Sequence, residues 1–441
     1  MSRTPTESVE IFVQRRRALA RKMGGGALIL SSPLESIRNH DVHHHFRQSS
    51  SLYYLTGFEE PESILVFRPG MTPETVMFVR KKDSERETWD GFRFGPEATS
   101  SLFKIDACYP IDEFEARTVE LLKGMEKLYY RQYLNREVDE KMQNILLRTS
   151  KAQGRTGMGL LPVYDAEELL GEQRLIKSDN ELNNLRHACQ ISAEVHMETM
   201  QYVRPGMNER EINGFILYQM MKRGAAREGY GAIVASGNNA TTLHYVFNDQ
   251  ACKAGELLLI DAGAEYNYYT GDITRTFPVT GRFTDEQAHI YEAVLKVQKQ
   301  IIEMIQPGLT FKELQETGTS MLTDAMLELG LLEGRKADII QALEHKRYYP
   351  HGIGHWLGMD VHDAGLYFIK GQPRVIEENM CFTIEPGLYI PANDHRAPER
   401  YRGIGIRIED NLRVTKDGCE NMTSLVPKEI KDIERLMANK Q

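Results

Sequence analysis

Apolar residues recur at helical spacing over residues 9–23 (Val9, Phe12, Val13, Leu19), which predicts an amphipathic helix. The arginines of "QRRR" then read as its solvated face. "GGG" at 24–26 closes that helix, and "ALILSS" follows as a buried strand. "SLYYLTGF", "SILVFRPG" and "TVMFVRK" read as further short strands, with helices over 112–124 and 136–150. This pattern predicts a compact N-terminal α/β domain over 1–173. A second domain starts near residue 174 and runs to 441. Its first mark is Ser178 with Glu181, an S-x-x-E capping box, and a long amphipathic helix running to about Tyr202 before Pro205-Gly206.

The second domain repeats itself. "RPGMNEREI" at 204–212 matches "QPGLTFKEL" at 306–314, and "ELLLIDAGAEY" at 256–266 matches "NMCFTIEPGLY" at 379–389. The matches come in the same order, which points to a duplicated half with Asp261 and Glu385 at equivalent places.

Four carboxylates interrupt strand-like runs: Asp261 in "LLLIDAG", Asp272 in "YYTGDITRTF", Glu385 in "CFTIEPG" and Glu409 in "IGIRIED". Strand interiors rarely hold them, and buried carboxylates without counter-charge are costly. One or two could be explained by a turn or by pairing with Arg275; four together call for cations. An oxygen-rich set of this kind suits harder divalent ions. "YYPHGIGHWLGMDVHD" adds His351, His355 and His362, and its glycines argue for strand or loop with close backbone approach rather than a zinc helix.

Composition narrows the function classes. The chain has 441 residues, 41% hydrophobic and 27% charged, which is ordinary for a soluble globular protein of two or three domains. A net charge of −9 disfavours non-specific nucleic-acid binding. The five scattered cysteines form no C-x-x-C pair, and the apolar runs are strand-sized, so a reduced cytoplasmic protein is expected, with no nucleic-acid or membrane partner.

These motifs resemble the pita-bread metallopeptidases, the group of aminopeptidase P, prolidase and methionine aminopeptidase. Their ligand order of Asp, Asp, His, Glu, Glu falls here on Asp261, Asp272, His355, Glu385 and Glu409, within "DAG", "GDITRTF", "HGIGHWLG", "IEPGLY" and "GIRIED". "FRQSSSLYYLTGFEEPES" resembles the amino-terminal domain of aminopeptidase P. The resemblance implies a two-domain α/β protein, with an N-terminal α/β domain and a C-terminal pita-bread catalytic domain of duplicated α+β halves. It also implies release of the N-terminal residue from peptides with proline second. Two divalent ions per chain are expected, Mn²⁺ foremost with Zn²⁺ or Co²⁺ as alternatives, about 3.5–4 Å apart. Asp272 and Glu409 would bridge them, Asp261 would bind one, and His355 and Glu385 the other.

Further roles follow from the same resemblance. Glu385 would accept the proton of the attacking water, His362 would donate to the oxyanion, and His244 would stand near the leaving group. His351, Arg407 and Tyr389 would line the proline side. Asp41 and Trp89 would contribute from the N-terminal domain, Trp89 by reaching a neighbouring copy in a homodimer or homotetramer. Prolidase, acting on Xaa-Pro dipeptides, is the alternative activity. A metal-free peptide-binding module would have lost ligands, and none is lost. The run "HDVHHHF" at 40–46 falls outside the ligand set, so His43, His44 and His45 are expected to be solvated loop residues.

Overall fold

The computed structural model describes residues 5, 7–154 and 159–439. The chain divides into two compact units, Met1–Gln173 and Arg174–Gln441.

The N-terminal unit is built on a six-stranded mixed sheet. Its spatial order is Ala107–Pro110, Thr75–Val79, Ile64–Phe67, Ala27–Ser31, Leu128–Tyr130 and Val163–Tyr164. The three middle strands (Thr75–Val79, Ile64–Phe67 and Ala27–Ser31) pair antiparallel, and the outer pairings are parallel. Ile29, Val66, Val76 and Phe78 pack on one face against Phe114, Val138 and Met142. Two expectations fail here. "SLYYLT" is a helix, Ser50–Thr56, whose residues are all buried; an apolar run with no exposed face has no period to distinguish helix from strand. The arginine face of the first helix (Val9–Met23) is solvated only in part: Arg17 is exposed, but Arg15 and Arg16 are buried. Arg16 donates to the Leu55 carbonyl at 2.7 Å and the Lys104 carbonyl at 2.8 Å, satisfying acceptors that helix ends leave open. Burial pushes its pKa down to about 10.

In the C-terminal unit the duplication is visible in backbone detail. Each half opens with two helices, Asp179–Tyr202 and Glu209–Lys222, then Asp285–Met304 and Phe311–Glu328. Capping boxes start three of the four, at Ser178–Glu181, Thr284–Gln287 and Thr310–Glu313. In both halves the Pro-Gly turn puts glycine at positive φ, 90° at Gly206 and 99° at Gly308, where a side chain would be strained. Gly206 then donates to Cys252 and Gly308 to Ile376, and the capping residues bridge Asn208 to Ala251 and Thr310 to Val375.

The strands repeat as well. Leu257–Ala262 lies between Ile233–Ser236 and Ile273–Pro278, and Cys381–Ile384 pairs with Asp410–Val414. Ile260 and Ile384 hold matching places; their cross-strand partners are Arg275 and Asp410. Those two partners form an ion pair of 2.7 Å, fully buried, that joins the halves. Arg275 therefore neutralises Asp410, not Asp272, and burial there is outweighed by Arg275 and Lys428, which hold the Asp410 carboxyl far below the usual range. The helices cover these strands with one apolar core that includes Ile191, Val234, Ile260, Val294, Phe382 and Leu412. Among the described residues no helix is long and apolar enough to cross a membrane.

Candidate active site

The four predicted carboxylate ligands sit at or beside strand ends where the halves meet. Asp261 lies near the end of Leu257–Ala262, and Asp272 immediately precedes Ile273–Pro278. Glu385 fills the gap between Cys381–Ile384 and Gly387–Ile390, and Glu409 the gap between Ile404–Arg407 and Asp410–Val414. His355 comes from an irregular run held against the Cys381–Ile384 strand by a bridge from Trp356 to Phe382. No helix forms there. A Cβ on Gly354 would meet the Thr383 carbonyl oxygen at 1.9 Å, so glycine is what lets the run approach the strand.

These residues share a cavity of about 530 Å³, which His244, His351, His362 and Arg407 also line. Ligand atoms of Asp272, His355 and Glu409 lie within 4.8 Å of one another. His355 Nε2 is 3.3 Å from Asp272 and 3.4 Å from Glu385. Arg407 donates to Asp261 at 2.7 Å and to the Tyr389 hydroxyl at 3.0 Å, and His351 Nε2 lies 2.7 Å from that same hydroxyl. Arg407 thus pairs with Asp261 rather than with Asp410. Asp363, beside His362, is buried between Lys177 at 3.1 Å and Arg174 at 2.5 Å. The His362 ring packs edge-on against His355, centroids 4.3 Å apart.

Charge in this cavity is unbalanced. Burial pushes the Glu385 carboxyl up to about 7 against the pull of His355 and Arg407. Burial and the neighbouring carboxylates raise Glu409 well above its ordinary value, and burial raises Asp272 despite its hydrogen bond with His355. Burial alone would lower His355, but Asp272 and Glu385 hold it up at about 9. His351 is driven the other way, to about 3, by burial and by Arg407. Arg407 and the His355 ring therefore face four carboxylates, and three of these are held above their ordinary pKa values mainly by burial. Four carboxylates and one imidazole are the donor chemistry of a divalent metal site, and the residues fit such ions.

Three supporting residues escape sequence reading. The Tyr230 hydroxyl lies 2.6 Å from Asp261 and 2.5 Å from Asp272. Its only sequence signal is an aromatic between two glycines in "EGYGAIV". Thr274 donates to Glu409 at 2.6 Å, and Asn411 accepts from the Asp272 amide at 2.8 Å while donating to its carbonyl. Asp41 and Trp89 belong to the N-terminal unit. Asp41 sits at the exposed turn of the hairpin formed by Ile37–Asn39 and Val42–His43, and Trp89 is 82% exposed on the helix Ser84–Asp90. His43, His44 and His45 are exposed on and beside that hairpin.

The fold and its carboxylate-rich cavity define a class. Residues 183–416 match metallopeptidase family M24, and residues 12–129 match the aminopeptidase P N-terminal domain. The chain belongs to metallopeptidase family M24 and is a metal-dependent peptidase of two-domain, pita-bread architecture. Within it, the chain is 40% identical to a Xaa-Pro aminopeptidase of Haemophilus influenzae over 99% of its own length and 98% of that protein's. It is also similar to the solved structure of aminopeptidase PepP from Pseudomonas aeruginosa, at 40% identity and a TM-score of 0.93, covering 98% of each chain. A Zn-substituted aminopeptidase P from Escherichia coli, solved with product, superposes at a TM-score of 0.93 and 36% identity over 99% of each chain.

Proposed function

We propose that this protein is a divalent-metal aminopeptidase that releases the N-terminal residue from peptides whose second residue is proline. The observation that carries this reading is the meeting of Asp261, Asp272, His355, Glu385 and Glu409 in one cavity, with His351, Tyr389 and Arg407 linked along its side. The similar Xaa-Pro aminopeptidases support the same substrate class. Asp261, Asp272, His355, Glu385 and Glu409 would hold two ions, and the oxygen-rich set favours Mn²⁺ over softer choices. When bound, the ions supply an activated water and polarise the scissile carbonyl.

The chain's own residues do the rest. Glu385 takes the proton of the attacking water and returns it to the departing nitrogen. His362 stays neutral, since burial and His355 lower its pKa, and it offers an N–H to the oxyanion. His244 lines the cavity and would face the leaving group. His351, held neutral and tied to Tyr389 and thence to Arg407, lines the proline subsite. This reading includes homo-oligomeric assembly, with exposed Trp89 as the side chain offered to a neighbouring copy, and a cytoplasmic location in keeping with five free thiols.

The test compares a Xaa-Pro-Xaa tripeptide with a Xaa-Pro dipeptide, with Mn²⁺ added. Tripeptide cleavage that frees the first residue is the expected result. Cleavage of the dipeptide alone makes the protein a prolidase, and cleavage of neither overturns the reading.

A further inference from the structure

His244 reaches the cavity from a segment with almost no regular structure. Between the strands Ile233–Ser236 and Leu257–Ala262 the chain makes one 3-10 turn, Gly237–Thr241, and then runs irregularly through Leu243, His244 and Val246, all of which line the cavity. Phe247, which does not line the cavity, is 74% exposed, so the segment packs on little there. A segment of this kind has few backbone bonds to fix it and must be held by side chains.

One carboxylate gathers most of it. Glu209, the first residue of the helix Glu209–Lys222, is fully buried and does not itself line the cavity. Its Oε1 accepts from the Ser236 amide at 2.7 Å, the Ser236 hydroxyl at 2.7 Å and the Asn239 side-chain amide at 3.0 Å. Its Oε2 accepts from the Tyr245 hydroxyl at 2.9 Å and the Gln250 amide at 3.0 Å. These donors come from the beginning, the middle and the end of the segment, and Tyr245 is the immediate neighbour of His244. All five are neutral, and their convergence on a carboxylate gives charge-assisted bonds stronger than neutral ones. The Glu209 amide in turn donates to the Gln250 carbonyl at 2.9 Å, so the carboxylate is itself fixed to the helix start. Asn248 adds a second tie, accepting from Val234 and donating to Ala232, but at one place only.

We propose that Glu209 is a positioning residue, a buried carboxylate behind the active site that holds the segment 236–250 so that His244 faces the scissile bond. The inference rests on the functional reading above, because it acts through His244. Glu209→Gln is the direct probe: the amide replaces one acceptor oxygen with a donor and turns it on the segment's own donors. In the full-length, metal-loaded protein, hydrogen exchange over residues 236–250 should quicken at least about tenfold while the rest of the C-terminal unit and the metal content stay unchanged. With a Xaa-Pro tripeptide, kcat should fall about tenfold with KM little changed, the mark of a displaced group that acts in the transition state.

Coupling decides between positioning and a general structural role. Introduced into a His244→Ala background, Glu209→Gln should cost less than about twofold, because the residue it serves is gone. Tyr245→Phe, which removes one donor and leaves the carboxylate intact, should show the same dependence on His244 at smaller size. Unchanged exchange in Glu209→Gln overturns the tether. Quickened exchange with equal kinetic losses in both backgrounds overturns positioning. Absence of any turnover by the unmodified chain overturns the functional reading instead, and the exchange result still decides the tether.

Discussion

Acid should weaken the C-terminal unit through a histidine that never touches substrate. His196, on the helix Asp179–Tyr202, is 1% exposed and donates from Nε2 to the Ala262 carbonyl at 3.0 Å, beside Asp261. Its Nδ1 is buried and has no hydrogen-bond partner among the described residues. Burial pushes its pKa from 6.5 down to about 4, with Arg275 pulling the same way and the Ala262 carbonyl resisting. In the unfolded chain the ring titrates near 6.5. Between these values the unfolded chain holds one more proton than the folded one, so stability rises with pH across the window. The contribution is complete above about pH 6.5, is lost as pH falls toward 4, and changes little below that. At about 1.4 kcal/mol per pH unit, the loss by pH 4 is about 3 kcal/mol.

The assay is urea unfolding of the metal-free protein at pH 7 and pH 4, read by tryptophan fluorescence. The chain has two tryptophans. Trp356 is fully buried in the C-terminal unit, whereas Trp89 is 82% exposed, so the change on unfolding reports the unit that contains His196. His196→Gln keeps a donor for the Ala262 carbonyl and cannot take up the proton. Other groups, Asp410 among them, lose stability in acid in both proteins, so the difference between the proteins isolates His196. The variant should lose about 3 kcal/mol less than the parent between pH 7 and pH 4. Equal losses, within about 1 kcal/mol, would refute the assignment of His196 as a buried neutral ring.

Two further outcomes test the site and its scaffold. Metal binding should release protons, because His355 near 9 and Glu385 near 7 hold protons that ligation must displace. Mn²⁺ added to metal-free protein at pH 7.5 in weak buffer should free about one to two protons per chain, read by an indicator dye, and affinity should fall as pH drops below about 9 and more steeply below about 7; no release would exclude these two as ligands. Gly263→Ala would bring a Cβ to 1.7 Å from the Gly271 carbonyl oxygen, backbone against backbone, and should cost at least about 2 kcal/mol in the same urea assay. Gly214→Ala, in the helix Glu209–Lys222 with open space around it, should instead be neutral or stabilise by up to about 1 kcal/mol; matching effects at the two glycines would contradict the close-approach argument.

Much of the site was legible because its residues are out of place locally. A carboxylate ending an apolar strand is costly, and four of them in a duplicated pattern announce a shared counter-charge. Asp261, Asp272, Glu385 and Glu409 could therefore be picked out as a set, whereas His355 stood among three histidines and was singled out only by the family resemblance. Tyr230, Thr274 and Asn411 could not, since a tyrosine, a threonine and an asparagine near strand ends are locally ordinary. Ser50–Thr56 and the buried Arg15 and Arg16 were misread for a related reason: periodicity marks a boundary between core and solvent, and an element buried all round, or an arginine buried on helix-end carbonyls, crosses no such boundary.

The sequence by itself determined the donor types and their order, the Pro-Gly turns, the capping boxes and the duplication, all of which are set by neighbours a few residues apart. Only the tertiary structure decided the pairings. Arg407 goes to Asp261 across 146 positions and Arg275 to Asp410 across 135, although Arg407 stands three residues from Asp410 and Arg275 three from Asp272. Coulombic energy and desolvation depend on distance and burial in space, and chain proximity fixes neither. The same holds for Glu209, an unremarkable glutamate at a helix start until the folded chain brings Ser236, Asn239, Tyr245 and Gln250 to its carboxylate.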